Sequence, residues 1–97
     1  MNKPFSVSLS VYNNDDSDNF KVAVLSIINQ TFVPSEIVLV VDGPIPIKTR
    51  NIISDFKLNY KFFKVIDLKQ NQGHGNARRE GLNKCTNEIV ALMDSDD

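Results

Sequence analysis

The sequence has one cysteine, one histidine and no tryptophan, and only four glycines and four prolines in 97 residues. A lone Cys85 excludes an internal disulfide and fits a reducing compartment. His74 has no Cys or second His spaced with it as a metal ligand, so it reads as a loop histidine. No apolar run approaches the roughly 20 residues that cross a bilayer. The opening MNKPFSVSLSVYNN is too short and polar for a signal peptide. Neither sign of charge dominates, since 11 Lys and Arg stand against 12 Asp and Glu for a net charge of −1. That balance gives no support to nucleic acid binding or to a polybasic membrane contact. The expected location is cytoplasmic. Linkers, low-complexity tracts and sequence repeats are missing too, so the chain is one domain at most, or part of one.

What is present is an ordinary hydrophobic fraction, 41%, enough for one modest core. Its arrangement alternates. Residues 5–12, FSVSLSVY, carry β-branched and aromatic residues at period two and predict a strand. NNDDSDN then offers several caps for a helix over about 18–30, where Phe20, Ala23, Val24, Ile27 and Ile28 recur at helical spacing. Pro34 breaks that pattern. Residues 36–42, EIVLVVD, form a continuous apolar run that suits a central strand covered on both faces. After GPIP, with Pro46 suited to a first helical turn, Ile52, Ile53 and Phe56 mark a second helix. Residues 60–68 predict a third strand and QNQGHGN a loop. Ala77, Gly81, Leu82 and Cys85 mark a third helix, and residues 88–94 a fourth strand. Five of the six phenylalanines, at 20, 32, 56, 62 and 63, read as core, as does Cys85. The order implies an α/β fold: a mostly parallel, Rossmann-like sheet with helices on both faces and right-handed crossovers. Ligands of such sheets bind outside the carboxyl ends of the strands.

Polar residues gather at those predicted ends. Asp94 and Asp96 sit two apart, which puts both on one side of an extended backbone, and Asp97 adds a third carboxylate. Clustered carboxylates repel unless a cation sits among them, and a hard divalent ion such as Mg2+ or Mn2+ suits oxygen ligands. A solvated acidic turn or a helix cap is the competing reading. Asp42 ends the second strand and could accept hydrogen bonds from a ribose or base, although Asp-Gly-Pro is also good turn chemistry. NQGHGNARREG is not a dinucleotide fingerprint: Arg78 occupies the third glycine position, and the loop follows the third strand rather than the first. It still offers two glycines for close backbone approach and a helix N-terminus that favours anions. Arg78 and Arg79 point about 100° apart on a helix. Arg78 is the one expected at the ligand edge. Asp15, Asp16 and Asp18 lack the glycine and distal Glu of a calcium loop and read as caps.

VSLSVYNN, LSIINQTFVPSEIVLVVDG, NQGHGNARREGLNKC and NEIVALMDSDD occur in that order over nearly the whole chain. Together they resemble the N-terminal nucleotide-sugar-binding half of family 2 glycosyltransferases, which have the GT-A fold. The resemblance implies nucleotide contacts for Ser10 and Tyr12, with Tyr12 near the base. It implies a base or ribose contact for Asp42 and a place near the nucleotide for Arg78. Asp94, Ser95 and Asp96 match the Asp-x-Asp motif that holds the donor's ribose and the metal on its diphosphate, with Asp97 beside it as a further metal ligand. Two departures stand out. Val41 replaces the first of two acids common before the glycine, and Gly43-Pro44 replaces a familiar Gly-Ser. The family's catalytic base and acceptor-binding half lie downstream of the Asp-x-Asp segment. The expectation is therefore a fragment, residues 1–97, that binds donor and metal but does not transfer sugar.

The implied partners are a nucleotide-sugar, by default a UDP-sugar, and a glycan, lipid-linked or other hydroxyl acceptor. Missing parts would bring the enzyme to the cytoplasmic face of a membrane, and truncated edges invite self-association. The rival expectation is a non-catalytic nucleotide-binding or receiver-like regulatory domain. Receivers also gather acids at strand ends, but here the third strand offers only Asp67.

Overall fold

The computed structural model of the chain describes residues 3–94. β1 (Phe5–Val11), α1 (Ser17–Ile28), β2 (Glu36–Asp42), α2 (Ile47–Asn59), β3 (Phe63–Leu68), α3 (His74–Lys84) and β4 (Ile89–Asp94) follow in the expected alternation. The strands form one sheet in the order β3-β2-β1-β4, and each pairing is parallel. β2 is buried at every position, as its unbroken apolar run requires of a strand covered on both faces.

The two faces of the sheet are built differently. Odd positions of β1 and β2 (Val7, Leu9, Val11, Ile37, Leu39, Val41) pack with Phe20, Val24 and Ile27 of α1 and Ile53 and Phe56 of α2. Burying each of these larger side chains contributes about 1.5–3 kcal/mol. Val41, where relatives commonly carry an acid, belongs to this core. Even positions face α3, and β1 supplies only serines to that face. Ser6 and Ser8 are buried beneath it. α3 answers with small residues, Ala77 and Gly81. A Cβ on Gly81 would lie 2.2 Å from Ser8 Oγ and 3.2 Å from Val40 Cγ2, so helix and sheet meet at a distance only glycine permits.

Local chemistry sets the ends. Asp16 caps α1, its Oδ1 accepting from Asn19 N at 2.9 Å. The Tyr12–Asp15 turn is closed in both directions: Tyr12 N donates to Asp15 Oδ2 at 3.0 Å, and Asp15 N to Tyr12 O at 3.1 Å. β3 starts at Phe63 rather than 60. Tyr60 N still caps α2 by donating to Phe56 O at 3.0 Å, and Phe63 N donates to Tyr60 O at 3.2 Å to close a turn.

The aromatic expectation holds for Phe20, Phe56 and Phe63. Phe62 is half-buried and packs against the same core. The expectation needs correction at Phe32, which is 57% exposed because the chain crosses the surface between α1 and β2. Leu82 is also exposed, since Ala77 and Gly81 alone form the buried face of α3. Cys85 is the C-cap of α3 and half-buried rather than core.

Two of β1's neighbours in sequence order, β2 and then β3, lie on one side of it, and β4 lies on the other. Strand order therefore reverses between β1 and β4. The crevice at the carboxyl end of such a reversal is where α/β sheets take their ligands.

Candidate functional site

Asp42 ends β2 on the α3 face and is buried, 5% exposed. Its Oδ1 accepts from Gln72 N at 2.7 Å, and its backbone carbonyl accepts from Asn71 Nδ2 at 3.3 Å. The residue thus clamps the β3–α3 loop onto the end of β2. Gly43 makes the clamp possible. It has φ +87°, and a Cβ there would sit 2.6 Å from Asn71 N. Asn71 in turn accepts from Gly73 N at 3.1 Å and shapes the entry to α3.

This clamp forms the wall of a cavity of about 330 Å³ lined by Ser10, Tyr12, Asp42, Asn71, Gly73 and His74. Ser10 and Tyr12 come from the end of β1 with the same parity as Asp42, so all three reach one side of the sheet. α3 begins at His74, and Gly73 before it supplies no side-chain cap. His74 is therefore the first residue of a helix, which corrects the loop assignment. Arg78, one turn on, donates from Nη2 to His74 Nε2 at 3.0 Å. His74 and Arg78 also line a narrow cleft with Ser8, Ser10, Leu92 and Met93, between α3 and the β1–β4 pair.

Four of the expected site residues, Ser10, Tyr12, Asp42 and Arg78, thus converge on the carboxyl edge. Asp94 is brought there by its backbone, its Cα paired with that of Ser10. Asp96 and Asp97, the expected metal ligands, lie outside the described residues. Among the described residues no three His, Cys, Asp or Glu side chains come together as a metal site. Asn71 and His74 line the cavity without having been singled out for it. Their signal was the loop itself, a polar run after a strand and before a helix.

A second polar centre, which sequence reasoning missed, lies at the opposite, amino end of the sheet. Glu36 is 3% exposed. It accepts from Ser6 Oγ at 2.7 Å and from Thr86 N at 2.8 Å, and it pairs with Lys64. Burial, the largest influence, raises its pKa. The hydrogen bonds from Lys64, Ser6 and the Thr86 amide, together with the Lys64 charge, outweigh burial and bring it from 4.5 to about 2. The only signal in the sequence was a charged residue opening an otherwise apolar strand.

Burial, and then the nearby Glu36 carboxylate, push the Cys85 thiol up and disfavour its thiolate. Asp67, the acid that a receiver-like reading needs, is paired with Arg50 Nη1 at 2.6 Å.

A parallel α/β sheet with a polar cleft at its carboxyl edge, beside the strand-order reversal, is the architecture of a ligand-binding open α/β sheet. Residues 6–97 match the model of glycosyl transferase family 2, and the chain belongs to that family. Over 93 residues it is 37% identical to the amylovoran biosynthesis glycosyltransferase AmsE of Erwinia amylovora, covering 96% of this chain and 35% of that protein. It is 32% identical to the Escherichia coli UDP-Gal:alpha-D-GlcNAc-diphosphoundecaprenol beta-1,3-galactosyltransferase, covering 96% of this chain and 34% of that one. The chain spans about a third of the length of these curated relatives. A crystal structure of TarS from S. aureus superposes with a TM-score of 0.78 at 30% identity, covering 98% of this chain and 28% of TarS. TarS in complex with UDP superposes at 0.77 and 28% identity, covering 97% and 28%. Among the described residues, no helix is long and apolar enough to cross a membrane.

Proposed function

We propose that residues 1–97 form the donor-binding half of a glycosyltransferase that moves a sugar from a nucleoside diphosphate to a hydroxyl acceptor, with inversion. The observation that carries the reading is the convergence of Ser10, Tyr12 and Asp42 with the start of α3 on one cavity of about 330 Å³. A cavity of this size is in the range that takes a small ligand. Its lining combines an aromatic ring, a hydroxyl, a carboxylate and the first residue of a helix. Tyr12 offers a face for the base and Asp42 an acceptor for base or ribose hydroxyls. The start of α3 and Arg78 favour the charge of the diphosphate. The family's UDP-using relatives make UDP the first nucleotide to test.

A divalent cation, Mn2+ or Mg2+, fits the hard oxygen donors of Asp96 and Asp97, with Asp94 two positions before Asp96. When bound it would supply neutralisation of charge on the departing diphosphate. The base that takes the acceptor's proton is assigned to chain beyond these 97 residues, in the part of the relatives this chain does not span. The chain by itself is therefore expected to bind donor without transferring sugar, and sugar transfer by the purified chain would refute this.

The test is calorimetric titration of UDP with and without Mn2+, followed by GDP and dTDP. Metal-dependent binding that is lost in Asp42→Ala and in Asp96→Ala supports the reading. Binding that survives both substitutions, or failure of all three nucleotides, refutes it.

A further inference from the structure

Among the described residues, β4 is held to the sheet through β1 alone. Its residues 89–93, IVALM, are apolar at every position. Strand register is usually fixed by alternation, because a slip of one residue turns every side chain to the other face. In β4 such a slip only exchanges one apolar side chain for another. The apolar pattern is therefore blind to register, and something else must set it.

The residues just ahead of β4 are tied down by polar bonds to the starts of the other strands. Thr86 N donates to Glu36 Oε1 at 2.8 Å, and Thr86 Oγ1 lies 3.3 Å from both carboxylate oxygens. Asn87 Nδ2 donates to Ser6 Oγ at 3.0 Å and to Ser35 Oγ at 2.6 Å. Ser6 Oγ donates on to Glu36 Oε1, so Glu36 is the common acceptor of β1, of the approach to β4 and, through Lys64, of β3. Ser6 and Glu36 are both almost wholly buried, and directional bonds to buried groups tolerate little displacement. At the other end of β4, Asp94 pairs with Ser10, which lines the cavity. A slip of one residue would shift that end by about 3.3 Å.

We propose that Glu36 is a positioning residue for the candidate donor site. With Ser6 and Asn87 it pins the start of β4 and so sets the β1–β4 register that brings Asp94 beside Ser10. The donor-site consequence rests on the function proposed above, whereas the register pin does not.

The test uses the 97-residue chain with Glu36→Ala, and with Val24→Ala as a destabilised control in the α1 core, remote from the pin. Cross-strand nuclear Overhauser contacts between Ser10 and Asp94 and between Val7 and Ala91 read the register. Titration with UDP and Mn2+ reads the site. Glu36→Ala should replace these contacts with a slipped or averaged set and weaken binding by about tenfold or more, the usual scale for a residue that orients a ligand-binding group. Val24→Ala should keep the register and the affinity. A folded Glu36→Ala chain with the original register overturns the proposal. If the parent chain binds none of UDP, GDP and dTDP yet Glu36→Ala still loses register, the donor-site reading fails and the pin stands. Should Glu36→Ala not fold, Thr86→Val/Asn87→Ala leaves the Glu36–Lys64 pair intact and is read the same way, with an unchanged register overturning the proposal.

Discussion

Glu36→Gln should flatten the acid limb of this protein's stability. The native carboxyl is held at about 2 against an ordinary 4.5. A depressed acid stabilises the fold above its unfolded pKa and loses that contribution as pH falls toward the folded one. Between about pH 4.5 and 2 the unfolded chain binds a proton at Glu36 that the native state refuses, so stability rises with pH across that window. At full value the shift corresponds to about 3 kcal/mol. Lys64 is 52% exposed, so solvent screens the pair, and about 1–2 kcal/mol is the better expectation. The assay is urea unfolding of parent and Glu36→Gln at pH 7, 5, 4, 3 and 2.5. The other acids are common to both proteins, so the difference isolates Glu36. The parent should be the more stable at pH 7, and the gap should close as pH falls below 4.5. A gap that stays constant from pH 7 to 2.5 would refute the electrostatic account and leave only a packing role for Glu36.

Three further substitutions test the packing and the turns. Gly81→Ala should cost about 1–3 kcal/mol in a thermal or urea melt despite alanine's better helix propensity, because its Cβ meets Ser8 Oγ. Adding Ser8→Ala should recover most of that loss, and no recovery would place the clash elsewhere. Gly43→Ala should cost about 1–3 kcal/mol through its positive φ. It should also weaken any UDP binding, since the new Cβ pushes on the Asn71 backbone that walls the cavity. Asp16→Ala should cost about 1 kcal/mol and fray the first turn of α1, visible as faster amide exchange at Asn19.

The alternation of strands and helices was legible in the sequence because it rests on local periodicity. The four-residue spacings of α1 and the unbroken run of β2 each have one physical solution, and both appear where the pattern puts them. The errors fall where local pattern is silent. Phe32 is apolar, but nothing near it in sequence says that its segment crosses the surface. Leu82 and Cys85 continue a helical spacing, but α3 sits so close on the serines of β1 that only Ala77 and Gly81 fit beneath it.

The site divides along the same line. That Ser10, Tyr12, Asp42 and Arg78 lie at strand or helix ends follows from the sequence, because an element's end is a local property. That Ser10, Tyr12 and Asp42 surround one cavity, with Arg78 in a cleft that shares Ser10 and His74 with it, depends on strand order, which puts β1 between β2 and β4, and no local pattern states that order. The Glu36 centre was still less accessible. Its partners, Ser6, Lys64 and Thr86, lie 28 to 50 residues away in the chain. A buried carboxylate is tolerable only when such partners arrive together, and only tertiary folding brings them there.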